Sequence, residues 1–119
     1  MRGFKRTERV SGEVHRVLAE EVREVKDPRV GPLSITSVQV TDDLRLARVR
    51  IVPLGGVGDE NTLLEGLRAA SGYLSRRLAK KLKMKYSPRL EFFLDDSLDQ
   101  AFQIVDQLQS QEVESEEED

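Results

Sequence analysis

The chain has 119 residues with 22 acids, 19 bases and no cysteine, for a net charge of −3. That length fits one domain and leaves no room for a second core, and the absence of cysteine rules out disulfides and thiolate metal sites. No stretch reaches the roughly eighteen apolar residues that a membrane span needs, and the charged start MRGFKRTERV does not read as a secretory leader.

The overall charge conceals two opposite regions. Residues 112–119, EVESEEED, carry six acids and no base. Without those six, 16 acids remain against 19 bases, so the rest of the chain stands at +3. Arg2, Lys5, Arg6 and Arg9 crowd the first nine residues with Glu8 as their one acid. Residues 66–90 hold Arg68, Arg76, Arg77, Lys80, Lys81, Lys83, Lys85 and Arg89 with no acid at all. Clustering of this kind marks either a polyanion-binding surface or a solvated helix face.

In chain order, residues 8–26 read as an amphipathic helix. Val10, Val14, Val17, Leu18, Val22 and Val25 recur at spacings of three and four. Asp27-Pro28 should stop it, because proline disfavours helical geometry in the residue before it. Ser34–Thr41 is rich in β-branched residues and reads as a strand. Thr41-Asp42-Asp43-Leu44 is a turn. Ala47, Val49 and Ile51 then alternate with Arg48 and Arg50 as a half-buried strand, and the two strands should pair as a hairpin.

Pro53–Glu60 is a glycine-rich loop. Its Gly55-Gly56-Val57-Gly58 matches the letters of a GxxG backbone clamp, but it lies between a strand and a helix, so a flexible turn is the better reading. A long leucine pattern follows, from Leu63 to Leu82, with Ala70-Ser71-Gly72 in its middle. Glycine weakens a helix and serine can cap a new one, so two helices joined at an angle are expected there. Leu90, Phe92 and Leu94 mark a third strand over 89–95. Leu98, Ala101, Phe102, Val105 and Leu108 suggest a short last helix. Residues 1–109 thus form the domain, and 110–119 are expected to be a disordered acidic tail. The order α-β-β-α-kink-α-β predicts an α+β fold: a mixed three-stranded sheet with helices on one face.

Catalytic chemistry is hard to assemble from these residues. The single histidine, His15, sits at the edge of the first helix's apolar stripe and reads as structural. HExxH and Cys/His metal spacings are absent. Asp42-Asp43 and Asp95-Asp96 lie at strand ends, where acids commonly form turns. The reading is no enzyme, no metal and no cofactor.

The informative constellation lies on the second half of the long helical stretch. Leu74, Leu78 and Leu82 share one side, and Arg76, Arg77, Lys80, Lys81 and Lys83 spread over the other. Free backbone amides at the expected break would add to an anion site. Lys85 and Arg89 extend the patch, and Arg6 and Arg9 are expected to meet it from the N-terminus. Replacing Arg77, Lys80 and Lys81 by glutamate is expected to weaken RNA binding while leaving the melting temperature unchanged.

Several segments in order resemble the ribosome-binding factor A family. They are Asp27-Pro28-Arg29, Thr41-Asp42-Asp43-Leu44, Ala47-Arg48-Val49, Ala70-Ser71-Gly72-Tyr73-Leu74, Lys85, Pro88, Leu90-Glu91-Phe92 and Asp95-Asp96-Ser97. The resemblance spans about residues 5–108. It implies a KH-like fold of the type II order in which an Ala-x-Gly kink replaces the GxxG loop. Ser75 departs from it, standing where the family usually has arginine; Lys85 and Arg89 stand where it often has arginine and glutamate. The resemblance further implies a monomeric, cytoplasmic bacterial factor. Its partners would be the 30S ribosomal subunit and 16S rRNA, and its task late subunit maturation, including 16S 5′-end processing, above all in the cold. Two other readings remain open on the residues alone: a general single-stranded RNA- or DNA-binding KH-like module, and a protein-interaction domain whose basic face meets an acidic partner.

Overall fold

The structure is a computed structural model and describes residues 2–55 and 59–96. The expected last helix, the acidic tail and most of the Gly55–Gly58 segment lie outside those residues. The described elements are α1 (Arg2–Val22), β1 (Leu33–Val40), β2 (Leu46–Pro53), α2 (Glu60–Leu82) and β3 (Arg89–Leu94).

Helix α1 begins before the expected residue 8 and ends before residue 26. Past Val22 the chain tightens: Glu24 N–H bonds the Glu21 carbonyl at 3.0 Å and Val25 N–H the Val22 carbonyl at 3.2 Å. Such three-residue closures are the usual way a helix ends ahead of a proline. Asp27 then accepts from the Arg29 amide at 2.9 Å and from its guanidinium at 2.8 Å. The guanidinium, first of all, holds the Asp27 carboxyl down to about 2.

The sheet has the order β1-β2-β3, with β1 and β2 antiparallel and β2 and β3 parallel. It is the mixed sheet expected from a hairpin followed by a helical crossover. Ala47, Val49, Ile51, Leu90 and Phe92 point to the core, where α1 covers β1 and α2 covers β3. On the uncovered face Arg48 pairs with Glu91 at 3.8 Å, and the Arg50 guanidinium sits 5.8 Å from the Phe93 ring centroid. Strand β1 changes parity at a bulge between Ile35 and Ser37. Ile35 faces inward before it, Val38 and Val40 after it, so the extra residue keeps the apolar side chains on the core face. Thr36, in the bulge, donates its hydroxyl to Asp95 and so ties β1 to the end of β3.

The expected division of the long helical stretch does not occur. Helix α2 is continuous from Glu60 to Leu82, and Ala70, Ser71 and Gly72 are helical throughout. Ser71 caps nothing: its hydroxyl donates back to the Arg68 carbonyl at 2.7 Å. A glycine costs a helix about 1 kcal/mol. Burying a single leucine returns about 1.5–3 kcal/mol, and Leu67, Leu74 and Leu78 on either side of the glycine are fully buried. Packing therefore outweighs the local preference. Asp59 caps the start of α2, accepting from Asn61 N–H at 2.9 Å, and Lys83 ends it in the left-handed conformation at φ 53°.

One glycine on α2 is required by close approach. A Cβ on Gly66 would lie 2.8 Å from Val30 Cγ2 and 2.9 Å from Arg29 Cβ. The loop after α1 therefore rests directly on α2. Gly66→Ala should improve helix propensity yet lower the melting temperature, because overpacking typically costs about 1–3 kcal/mol. A Gly66→Ala protein that melts at or above the parent would refute the close approach.

Candidate nucleic-acid interface

The basic residues singled out from the sequence fall into three groups. The first is paired across the helix interface. Arg77 and Lys81 reach across to α1, where the Glu21 side chain is only 4% exposed. Arg77 Nε lies 3.2 Å from Glu21 Oε2, and Lys81 Nζ lies 2.7 Å from Oε1. Lys81 also approaches Glu20 at 3.9 Å. The Lys81 and Arg77 hydrogen bonds hold the Glu21 carboxyl below its ordinary value against the opposing effect of burial, and Glu21 in turn raises Arg77.

The second group faces outward along α2. Arg68, Gly72, Arg76 and Lys80 follow one another at four-residue steps and so form a row on the helix surface. The hypothetical Cβ of Gly72 is 3.3 Å from an Arg76 guanidinium nitrogen, so that side chain lies close over the glycine. Ser75, beside Arg76, is buried and donates its hydroxyl to the Pro88 carbonyl. Arg76 and Arg89 therefore flank the two ends of one bond that joins α2 to the start of β3.

The third group gathers at the end of the molecule where α1 starts, α2 stops and the β1–β2 turn lies. Arg6, Arg9, Lys83 and Lys85 line a cleft of about 460 Å³ there, together with Glu13, Asp43, Leu44 and Tyr86. Arg6 and Arg9 thus share a cleft with Lys83 and Lys85, beyond the last turn of α2. Arg6, Arg9, Arg76, Lys80, Lys83, Lys85 and Arg89 form no ion pair among the described residues. Their charge is directed to solvent.

Two further members of this end were not singled out from the sequence. The Arg45 guanidinium sits 4.4 Å from the Tyr86 ring centroid, and the Lys85 ammonium 5.5 Å from it. The turn places Arg45. Thr41 Oγ1 donates to Asp43 at 2.7 Å, and Asp43 accepts the Arg45 amide at 3.1 Å. Those two bonds, the hydroxyl first, lower the Asp43 carboxyl. Tyr86 interleaved with Lys83, Lys85 and Arg89 was the available signal, since aromatic rings among cations suit unpaired nucleic acid.

The helix break at which a phosphate site was expected does not form, and Ser71 and Gly72 lie within one continuous helix rather than at a helix start. Among the described residues no cluster of three or more His, Asp or Glu could hold a metal ion, and no helix is long and apolar enough to cross a membrane.

A one-sided mixed sheet backed by two helices, with unpaired cations on α2 and at one end, defines a small KH-like α+β protein with an exposed basic surface. The ribosome-binding factor A family model matches residues 6–108, and the chain belongs to that family. It is 42% identical over 101 residues to ribosome-binding factor A of Clostridioides difficile, covering 83% of this chain and 79% of that relative. The crystal structure of ribosome-binding factor A from Thermus thermophilus superposes with a TM-score of 0.67 at 28% identity, covering 74% of this chain and 94% of that one. The Thermus thermophilus factor as fitted into a cryo-EM map of its 30S complex gives a TM-score of 0.61 at 29% identity, covering 72% and 91%.

The ion pairs correct the expectation that Arg77 and Lys81 can be reversed without harm to the fold. Breaking a fully buried pair costs about 3–5 kcal/mol, and less where solvent reaches the cations, as it does at Arg77 and Lys81. Arg77→Glu with Lys81→Glu should thus lower the melting temperature by several degrees, whereas Arg76→Glu with Lys80→Glu should leave it nearly unchanged. Equal melting of the two double variants would show that Glu21 does not depend on its partners.

Proposed function

We propose that this chain is a non-catalytic assembly factor that binds the 30S ribosomal subunit as a monomer in the bacterial cytoplasm, contacting 16S rRNA through its unpaired cations. The observation that carries this reading is the separation of those cations. Two are paired with the buried Glu21, and at least seven others on α1, on α2, on the link that follows it and on β3 make no ion pair among the described residues. A fold that needed the basic residues only for solubility would have no reason to gather Arg6 and Arg9 against Lys83 and Lys85. Family membership and the 30S complex of the Thermus thermophilus relative support the same partner.

In this reading the factor assists late small-subunit maturation, including 16S 5′-end processing, with the greatest need in the cold. It acts by differential binding. A surface that fits one RNA conformation better than its alternatives shifts the population toward it, and no reacting group is required. Cold deepens the need because misfolded RNA helices escape more slowly. The acidic residues 112–119 would compete with RNA for the cations, at a range set by a Debye length of about 8 Å.

Sedimentation with purified 30S particles at two salt concentrations tests the reading. Each phosphate that a variant no longer neutralises should lower the slope of log affinity against log salt by ~0.7–0.9. Arg76→Glu with Lys80→Glu should therefore pellet poorly with 30S and show a shallower salt dependence, and cells relying on it should accumulate 5′-extended 16S precursor. A folded double variant that pellets like the parent would place the interface elsewhere. Deleting residues 112–119 should tighten the association; a weaker complex after deletion would show that the tail contributes to binding.

A further inference from the structure

The cleft at the α1 start contains more than cations. Tyr86 is 46% exposed although it sits between charged groups. Arg45 lies against its ring, and the backbone on both sides of Arg45 is pinned: its amide bonds Asp43 at 3.1 Å, and its carbonyl accepts the Arg89 amide at 2.7 Å. Leu44, Leu82 and Met84 provide an apolar floor packed against the core. Arg6, Arg9, Lys83 and Lys85 stand around it.

We propose that this cleft is a subsite for one unpaired nucleotide of RNA, its base stacked on Tyr86 and its flanking phosphates held by Arg6, Arg9, Lys83 and Lys85. The inference rests on the RNA-binding reading above and assigns a part of it to a specific chemistry. Cations alone would bind any polyanion backbone. The exposed ring adds an interaction that only the face of a base can use, and a base paired within a helix has both faces already stacked. The volume of about 460 Å³ lies within the range of small-ligand pockets, large enough for one nucleotide and too small for a duplex. Two acids also line the cleft. Asp43 is occupied by the Thr41 hydroxyl and the Arg45 amide, which leaves Glu13 as the acid to be offset by four bases. Lys85 reaches the Tyr86 ring on a flexible stem, so it can swing to a phosphate as the base enters. Arg45, its backbone pinned on both sides, backs the ring.

The chain has two tyrosines and no tryptophan, so in a Tyr73→Phe background Tyr86 is the sole tyrosine emitter. Its fluorescence should be quenched by a short oligouridylate and much less by an abasic ribose-phosphate strand of equal length. Tyr86→Leu keeps an apolar side chain without the ring. It should lower oligouridylate affinity roughly ten- to a hundredfold while leaving the salt slope and the abasic strand's affinity unchanged, and Tyr86→Phe should bind as the parent does. Equal oligouridylate binding by Tyr86→Leu, with its melting temperature retained, would remove the subsite and leave the wider basic surface standing. Uridine monophosphate bound as tightly as the oligonucleotide would make the cleft a free-nucleotide site and overturn the RNA assignment. A parent protein that fails to pellet with 30S particles would bring down the functional reading itself, and the subsite with it.

Discussion

A carboxylate that is almost fully buried between two helices stays ionised only if the fold supplies cations to it, and Glu21 receives two. Arg77 and Lys81 stand four residues apart on α2, so both can reach one point on α1 only in a single rotational setting of α2 about its axis. Buried ion pairs contribute little net stability compared with apolar packing, but they penalise every arrangement that leaves a charge unpaired. Here the penalised alternatives include any rotation of α2. That setting decides which cations remain for a partner. With Arg77 and Lys81 turned toward α1, the row of Arg68, Arg76 and Lys80 faces solvent, and Lys83 emerges at the end of the helix beside α1.

The same setting explains why one residue of the helix is a buried serine. Ser75 sits toward β3, where its hydroxyl meets the Pro88 carbonyl. A long cation in that place would have no solvent to reach without separating α2 from the strand. Ser75 is therefore a packing residue in this chain. The positive surface is carried instead by Arg76 on one side of the bond and Arg89 on the other.

Much of the architecture was legible because the patterns were strict. The alternation of Ala47, Val49 and Ile51 with arginines fixed β2, and the hairpin and crossover followed from spacing. What was not legible has physical causes. Gly72 read as a break because local propensity was weighed without the burial of Leu67, Leu74 and Leu78. Strand β1 showed no clean alternation because the bulge at Thr36 shifts its parity. The paired cations were missed because helix periodicity divides leucines from bases but does not say where a second helix lies. Glu21 itself carried the hint: it falls at the core spacing between Val17, Leu18 and Val25, inside an otherwise apolar stripe. An acid in such a place needs a base from elsewhere in the chain. The gathering of Arg6 and Arg9 with Lys85 could be anticipated, whereas the Arg45–Tyr86 pairing depends on a turn geometry that only the fold provides.

The division of the cations also bears on how such a surface can be selective. Phosphate contacts alone set affinity and salt dependence but not identity. Selectivity for one RNA shape requires the contacts to sit at fixed separations. The exposed cations come from α1, α2, the β2 start and β3, elements locked to one another by the Glu21 pairs, the Ser75–Pro88 bond and the Thr36–Asp95 bond. A rigid constellation loses little entropy on binding and cannot adapt to a differently shaped phosphate lattice. Flexible basic segments would bind many RNA conformations about equally and so shift none of them. In the function proposed above, the rigidity that the Glu21 pairs give the fold is what would let the exposed cations favour one RNA conformation over its alternatives.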